Sequence, residues 1–279
     1  EPAAGKKAEV PDDCETLVIL SPSAKLSAES LDAIERYLDR GGHLFAGIGI
    51  PAESDFSKLK ETGLEGLLKK YGVDVTDQFV MHFPSRQIPS FFIGIVEVPE
   101  KGETVLGQQF AGKPFAMVTP RIVKPGTTAK FKVEPLLAAD PAFKIWAEDS
   151  LQMFRADPER ILIERLAGRP PLTMVSKRPL PVAVTVTQDA KPRMVVVGNG
   201  EFLTNYAFRT EDGRTNYDLM VSSLAWMGER GFVGPRPIES SNYALSLKGD
   251  FGAMRFGTIW TLIAFLLVMG GCIWIVRRR

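Results

Sequence analysis

The fold is decided by one stretch, Thr16–Ile48, TLVILSPSAKLSAESLDAIERYLDRGGHLFAGI. TLVIL is a short apolar run suited to a buried strand. Ser27 is placed to cap a helix that runs to Arg40, with Glu29 in its first turn. Leu31, Ile34 and Leu38 recur at helical spacing with Tyr37 beside them, which makes one apolar stripe. Gly41-Gly42 stops the helix, and HLFAGI (His43–Ile48) is a second buried strand. Strand, helix and strand within so few residues imply a parallel βαβ unit, and so an α/β sheet of Rossmann-like kind.

Downstream, GLEGLLKKY (Gly63–Tyr71) reads as a short helix and Val73–Val75 as an edge strand. Between 80 and 135 the runs Phe91–Val98, Phe115–Val118 and Lys130–Val133 are broken by Pro and Gly, as in a β-rich insertion. Asp140–Asp149 reads as a short helix, and Leu172–Ser176 and Val182–Val186 as strands. RMVVVG (Arg193–Gly198) is a late buried strand. Asn216 then caps a helix over Tyr217–Glu229. The resulting division is a linker at 1–13, a head at 14–231, a stalk at 232–255, an apolar helix at 256–276 and an Arg tail at 277–279.

Phe256–Val276 carries no charge, and at about 1.5 Å per residue it reaches roughly 31 Å, the thickness of a hydrocarbon core. Trp260 and Trp274 stand near its ends, and Arg277, Arg278 and Arg279 follow. The expectation is one transmembrane helix with a cytoplasmic tail and an extracytoplasmic head.

The chain has 279 residues, a net charge of +1, 45% hydrophobic residues and 24% charged ones. That balance excludes a disordered chain, and it gives none of the basic footprint that nucleic-acid binding needs. With two Cys and two His, no metal site is expected. No phosphate-binding or dinucleotide motif occurs, so no cofactor is expected and ATP hydrolysis belongs elsewhere. Cys14 with His43 is a thin dyad, and Ser21 lies outside any nucleophile elbow, so no catalytic residue is assigned. In a parallel sheet, ligands bind at the carboxyl ends of the strands. The polar candidates there are Ser21, Ser23, Asn199, Glu201 and Asn205; ordinary turns are the competing reading of the same loops.

Three stretches carry a family resemblance: ETLVILSPSAKLSAESLDAIERYLDRGGHLFAGI with GLEGLLKKYGVDV, then RMVVVGNGEFLTN with NYDLMVSSLAWM, and the terminal apolar helix ending in Arg. Together they resemble the auxiliary component of gliding-motility-type ABC transporters. That resemblance implies a non-catalytic, glutamine-amidotransferase-like head outside the cytoplasm, held at the inner membrane. It implies a membrane permease and a cytoplasmic ATPase as partners, contact with the lipid bilayer, a polymer or envelope protein as a further partner, and a membrane helix ahead of residue 1. The family places an acid directly after the glycine that ends the late strand; here that position is Asn199, and Glu201 follows two residues on. An envelope scaffold or adhesion protein and a membrane-tethered amidotransferase-like hydrolase are the alternatives.

Overall fold

The structure is a computed structural model. It describes residues 8–49, 59, 61–82, 92–97, 104–113, 115–149, 151, 175–203, 211–230 and 251–278. The chain divides into two compact units, 1–236 and 237–279.

The first unit begins as the sequence dictates. β1 (Thr16–Leu20), α1 (Ala28–Asp39) and β2 (His43–Gly47) form a parallel βαβ unit. Ser27 Oγ accepts from the Ser30 N–H at 3.1 Å and starts α1. At its end Gly41 takes φ 100°, Gly41 N donates to the Leu38 carbonyl and Gly42 N to the Tyr37 carbonyl, each at 3.0 Å. These two bonds satisfy carbonyls that the last helical turn leaves open. A side chain at Gly42 would meet the Tyr37 ring at 2.4 Å, so only glycine lets that ring lie over the turn.

α2 (Leu64–Lys70) follows, and its start is a capping box. Thr62 donates to Glu65 through its N–H at 3.1 Å and through its hydroxyl at 2.8 Å. Then come β3 (Val73–His82), β4 (Phe92–Glu97), α3 (Val105–Gln109), β5 (Phe115–Val118), β6 (Arg121–Pro125), β7 (Lys132–Ala139), β8 (Ile145–Glu148), β9 (Leu180–Gln188), β10 (Lys191–Val197) and α4 (Glu211–Met227).

The main sheet runs β1-β2-β10-β9-β7-β4-β5, and a smaller one runs β6-β3-β8. Among the described residues, only β1, β2 and β10 pair in parallel. β9 and β10 are joined by the two-residue turn Asp189-Ala190, which permits only an antiparallel pair. The architecture is therefore mixed α/β, which corrects the parallel-sheet expectation. The strands expected as an insertion at 80–135 are built into these two sheets. β3 is the centre of the smaller sheet and not an edge. The helix expected over Asp140–Asp149 is a 3-10 turn, Pro141–Phe143, followed by β8. The expected strand at Leu172–Ser176 lies largely outside the described residues.

Both faces of β2 and β10 are covered, so their side chains alternate between two cores, whereas β1 is the edge strand and exposes Val18 and Leu20, which corrects the fully buried first strand expected from TLVIL. Leu44, Ala46, Ile48, Met194 and Val196 join Ile34, Leu38, Leu64 and Leu68 from α1 and α2. Phe45, Val195 and Val197 point the other way, toward Leu106 on α3, Phe110 just after it, and Leu219 and Met227 on α4. Each such side chain contributes about 1.5–3 kcal/mol when fully buried.

Among the described residues the buried charged side chains are Arg121 and Glu148. Arg121, at the start of β6, has a side chain only 2% exposed. Its guanidinium donates to the Thr76 carbonyl and Glu65 Oε1, each at 3.0 Å, and to Asp77 Oδ1 at 3.2 Å. Thr76 and Asp77 belong to an irregular stretch of β3, where the pairing with β6 shifts between Val75 and Phe79. A buried guanidinium with fewer partners would carry a large desolvation cost. The donors fix where β3 bulges and where α2 begins.

The second unit contains α5 (Phe251–Arg277), with Trp260, Phe265, Leu267 and Trp274 exposed. Among the described residues no helix is long and apolar enough to cross a membrane. The transmembrane span expected over Phe256–Val276 is thereby corrected to a helix without an established membrane crossing. A span needs about 20 consecutive apolar residues.

Candidate functional site

The carboxyl ends of β1, β2 and β10 meet, as the parallel arrangement requires. Ser21 follows β1, Ile48 and Gly49 follow β2, and Gly198, Asn199 and Gly200 follow β10. Ser21 N donates to the Gly47 carbonyl at 2.9 Å, and Ile48 N to the Val197 carbonyl at 2.8 Å. The three loops close on one another. A side chain at Gly200 would lie 1.9 Å from Ser21 Oγ, and one at Gly47 would lie 3.0 Å from the Asn199 carbonyl oxygen. Ser21 itself holds φ 45°, a conformation costly for a residue with a Cβ.

Asn199 is 4% exposed. Its Nδ2 donates to the Val118 carbonyl at 2.6 Å, and its Oδ1 accepts from the Glu201 N–H at 2.8 Å. Both ends of the amide are committed to the fold, which is the turn role for this residue type. Of the expected ligand set, the structure brings together Ser21, Asn199 and Glu201 at this end. Ser21, Ser23 and Glu201 are exposed, while Asn205 lies outside the described residues. Asn216 does not cap α4, which begins at Glu211; it is buried within the helix and its Nδ2 donates to the Phe202 carbonyl at 2.8 Å. In the second unit Trp260 and Trp274 are exposed and the Arg278 guanidinium sits 4.6 Å from the Trp274 ring centre. Arg277 is exposed, and Arg279 lies outside the described residues.

Two clefts lie away from this end. One, of about 450 Å³, is lined by Asp12, Cys14, Tyr37, Arg40, His43 and Glu229, among others. It brings the Cys14/His43 pair to one place. His43 Nδ1 lies 3.1 Å from the Glu15 carbonyl oxygen. A carbonyl only accepts, so Nδ1 carries a proton. The Tyr37 hydroxyl accepts from His43 N at 3.1 Å and faces the carbonyls of Cys14, Glu15 and His43 at 3.1–3.3 Å. Burial pushes its phenol above the ordinary value, and Cys14 adds to that rise. The other cleft lies by the β9–β10 turn; composition and spacing give no sign of it, because its lining comes from four separate segments. Among the described residues, no group of three His, Cys, Asp or Glu is placed to hold a metal ion.

Residues 3–94, about a third of the chain, match the family model of ABC-transporter auxiliary proteins, described as an ABC-type uncharacterized transport system. No curated protein matches. Among solved structures, the mmIFT52 N-terminal domain is similar at 14% identity and a TM-score of 0.47, over 76% of this chain and 77% of that one.

Proposed function

We propose that this chain is a non-catalytic auxiliary component of an ABC-type transport system. The observation that carries the reading is the family match across the amino-terminal βαβ unit, α2 and β3. Two features of the fold support it. The crevice where an α/β sheet would hold a small ligand is filled by its own loops, and its buried amide, Asn199, makes a bond to the fold at each end. A head of this kind works through its surface, and ATP turnover falls to another subunit. The partners in this reading are a membrane permease and a cytoplasmic ATPase. A location outside the cytoplasm beside that permease belongs to the same proposal and rests on the family resemblance.

The test is affinity isolation of the full tagged chain from its native membranes in mild detergent. Permease and ATPase chains are expected in constant ratio to it. Recovery of the chain alone at normal yield, or with envelope proteins only, overturns the reading. One observation favours a second reading, hydrolysis, since Cys14 and His43 share a cleft. Ester or amide turnover that disappears in Cys14→Ala and His43→Ala would establish it. Absence of turnover in the parent chain removes it.

A further inference from the structure

The cleft beside the β9–β10 turn, about 550 Å³, falls in the size range of small-molecule sites. It goes beyond the transport reading and does not depend on it. Its floor is the polar end of β7 and β9, where Lys132 pairs with Thr187 in register and Glu134 with Thr185. One wall is Trp226 on the last turn of α4, half-buried; another is Val105 at the start of α3, 60% exposed.

The chemistry of the lining selects the ligand class. Two cations, Lys130 and Lys132, face two acids, Glu134 and Asp189, so the cleft has no net charge to attract phosphate or an acidic chain. Lys132 Nζ lies 2.9 Å from Glu134 Oε1. The Glu134 side chain is only 21% exposed. A carboxylate accepts at both oxygens, so Glu134 can take an N–H or O–H from whatever enters. The Thr187 hydroxyl reaches the Lys132 carbonyl at 3.5 Å and keeps its lone pairs open. An extended peptide added as a strand does not fit, because β7 and β9 are interior strands with no free edge. An acyl chain does not fit a charged floor. What remains is a donor-rich, uncharged molecule with a flat C–H face for the indole.

The rim carries strain in the same place. Asp189 and Ala190 have φ 51° and 63°, at turn positions where Asn-Gly would be relaxed. Strain held by non-glycine residues gathers at binding sites.

We propose that this cleft binds a neutral oligosaccharide, with Trp226 stacking on a sugar ring and Glu134 and Thr187 taking its hydroxyls. The test uses the full chain with three probes, cellotetraose, maltotetraose and N-acetylglucosamine tetramer, read by tryptophan fluorescence and calorimetry. At least one is expected to bind saturably at about millimolar Kd or better. Trp226→Ala abolishes that binding, Glu134→Gln weakens it about tenfold, and Asp12→Asn in the other cleft leaves it unchanged. Should Trp226→Ala fail to fold, Glu134→Gln and Thr187→Val carry the comparison. The proposal is overturned if none of the three saturates below about 10 mM, if Glu134→Gln and Thr187→Val bind as the parent does, or if inorganic phosphate competes for the site.

Discussion

Gly198→Ala tests how the two sheets are joined. Gly198 ends β10; its N–H donates to the Val182 carbonyl at 2.7 Å and its carbonyl accepts from Arg121 N at 2.6 Å. A methyl group there would lie 2.0 Å from the Arg121 carbonyl oxygen and 2.9 Å from its carbonyl carbon. Neither atom belongs to a flexible side chain, so the strand ends must separate. Overpacking of this kind costs about 1–3 kcal/mol. Loss of the Gly198–Arg121 bond adds about 1 kcal/mol, and more where the groups stay buried and unpaired. Movement of the Arg121 backbone also pulls its guanidinium away from Glu65 and Thr76. The sum is about 2–4 kcal/mol. For a unit of this size each kcal/mol lowers Tm by about 2–4 °C, so a fall of roughly 4–16 °C is expected. Urea unfolding followed by far-ultraviolet circular dichroism measures it directly. A loss below about 1 kcal/mol, with an unchanged slope against urea, refutes the close packing of β10 on β6.

Glu65 makes the chain's stability depend on acid. Burial works to raise its carboxyl, but bonds from its own backbone, Thr62 and Arg121 outweigh burial and hold it below the ordinary glutamate value. The folded state thus binds fewer protons than the unfolded one, so the contribution is present above the unfolded value of about 4.3 and is lost as pH falls through the folded value. Denaturant midpoints measured across acid pH are expected to fall less steeply in Glu65→Gln than in the parent; parallel curves would show that Glu65 does not carry the effect. Asn199→Ala leaves the Val118 carbonyl and the Glu201 N–H unpaired and is expected to cost about 2–3 kcal/mol in urea unfolding; a neutral outcome would mean that Asn199 is free for a ligand. Ser27→Ala removes the cap of α1 and costs about 1 kcal/mol by the same measurement, with Ser27→Gly milder.

The amino-terminal βαβ unit was legible because every local signal agreed: a five-residue apolar run, a serine cap, an apolar stripe at 3.6-residue spacing and a double glycine. The sheet beyond it was not, because strand pairing is a long-range property. Nothing in RMVVVG (Arg193–Gly198) says that its partner on one side is β2 and on the other an antiparallel hairpin mate. Asp189-Ala190 hid that hairpin, since the turn lacks the Asn-Gly pair that marks it. Val73–Val75 was read too short because the irregular stretch at Thr76–Gln78 interrupts its alternation. Thr62–Glu65 did carry a readable capping signature. Of the site, Asn199 was legible as a polar residue at a strand's carboxyl end. Its employment inside the fold depends on the Val118 carbonyl, 81 residues away, which no spacing could announce.

The strand order has a consequence for synthesis. β2 pairs with β1 on one side and with β10 on the other, so half of its hydrogen-bonding edge waits for a strand encoded roughly 140 residues later. At about 5–20 residues per second a ribosome needs roughly ten to thirty seconds to deliver it. During that interval a nascent chain holds β2 with one edge bare and Phe45 without Val195 and Val197 to cover it. A fragment ending near residue 94 would be fixed permanently in that state and would be recovered as aggregate or bound to chaperones.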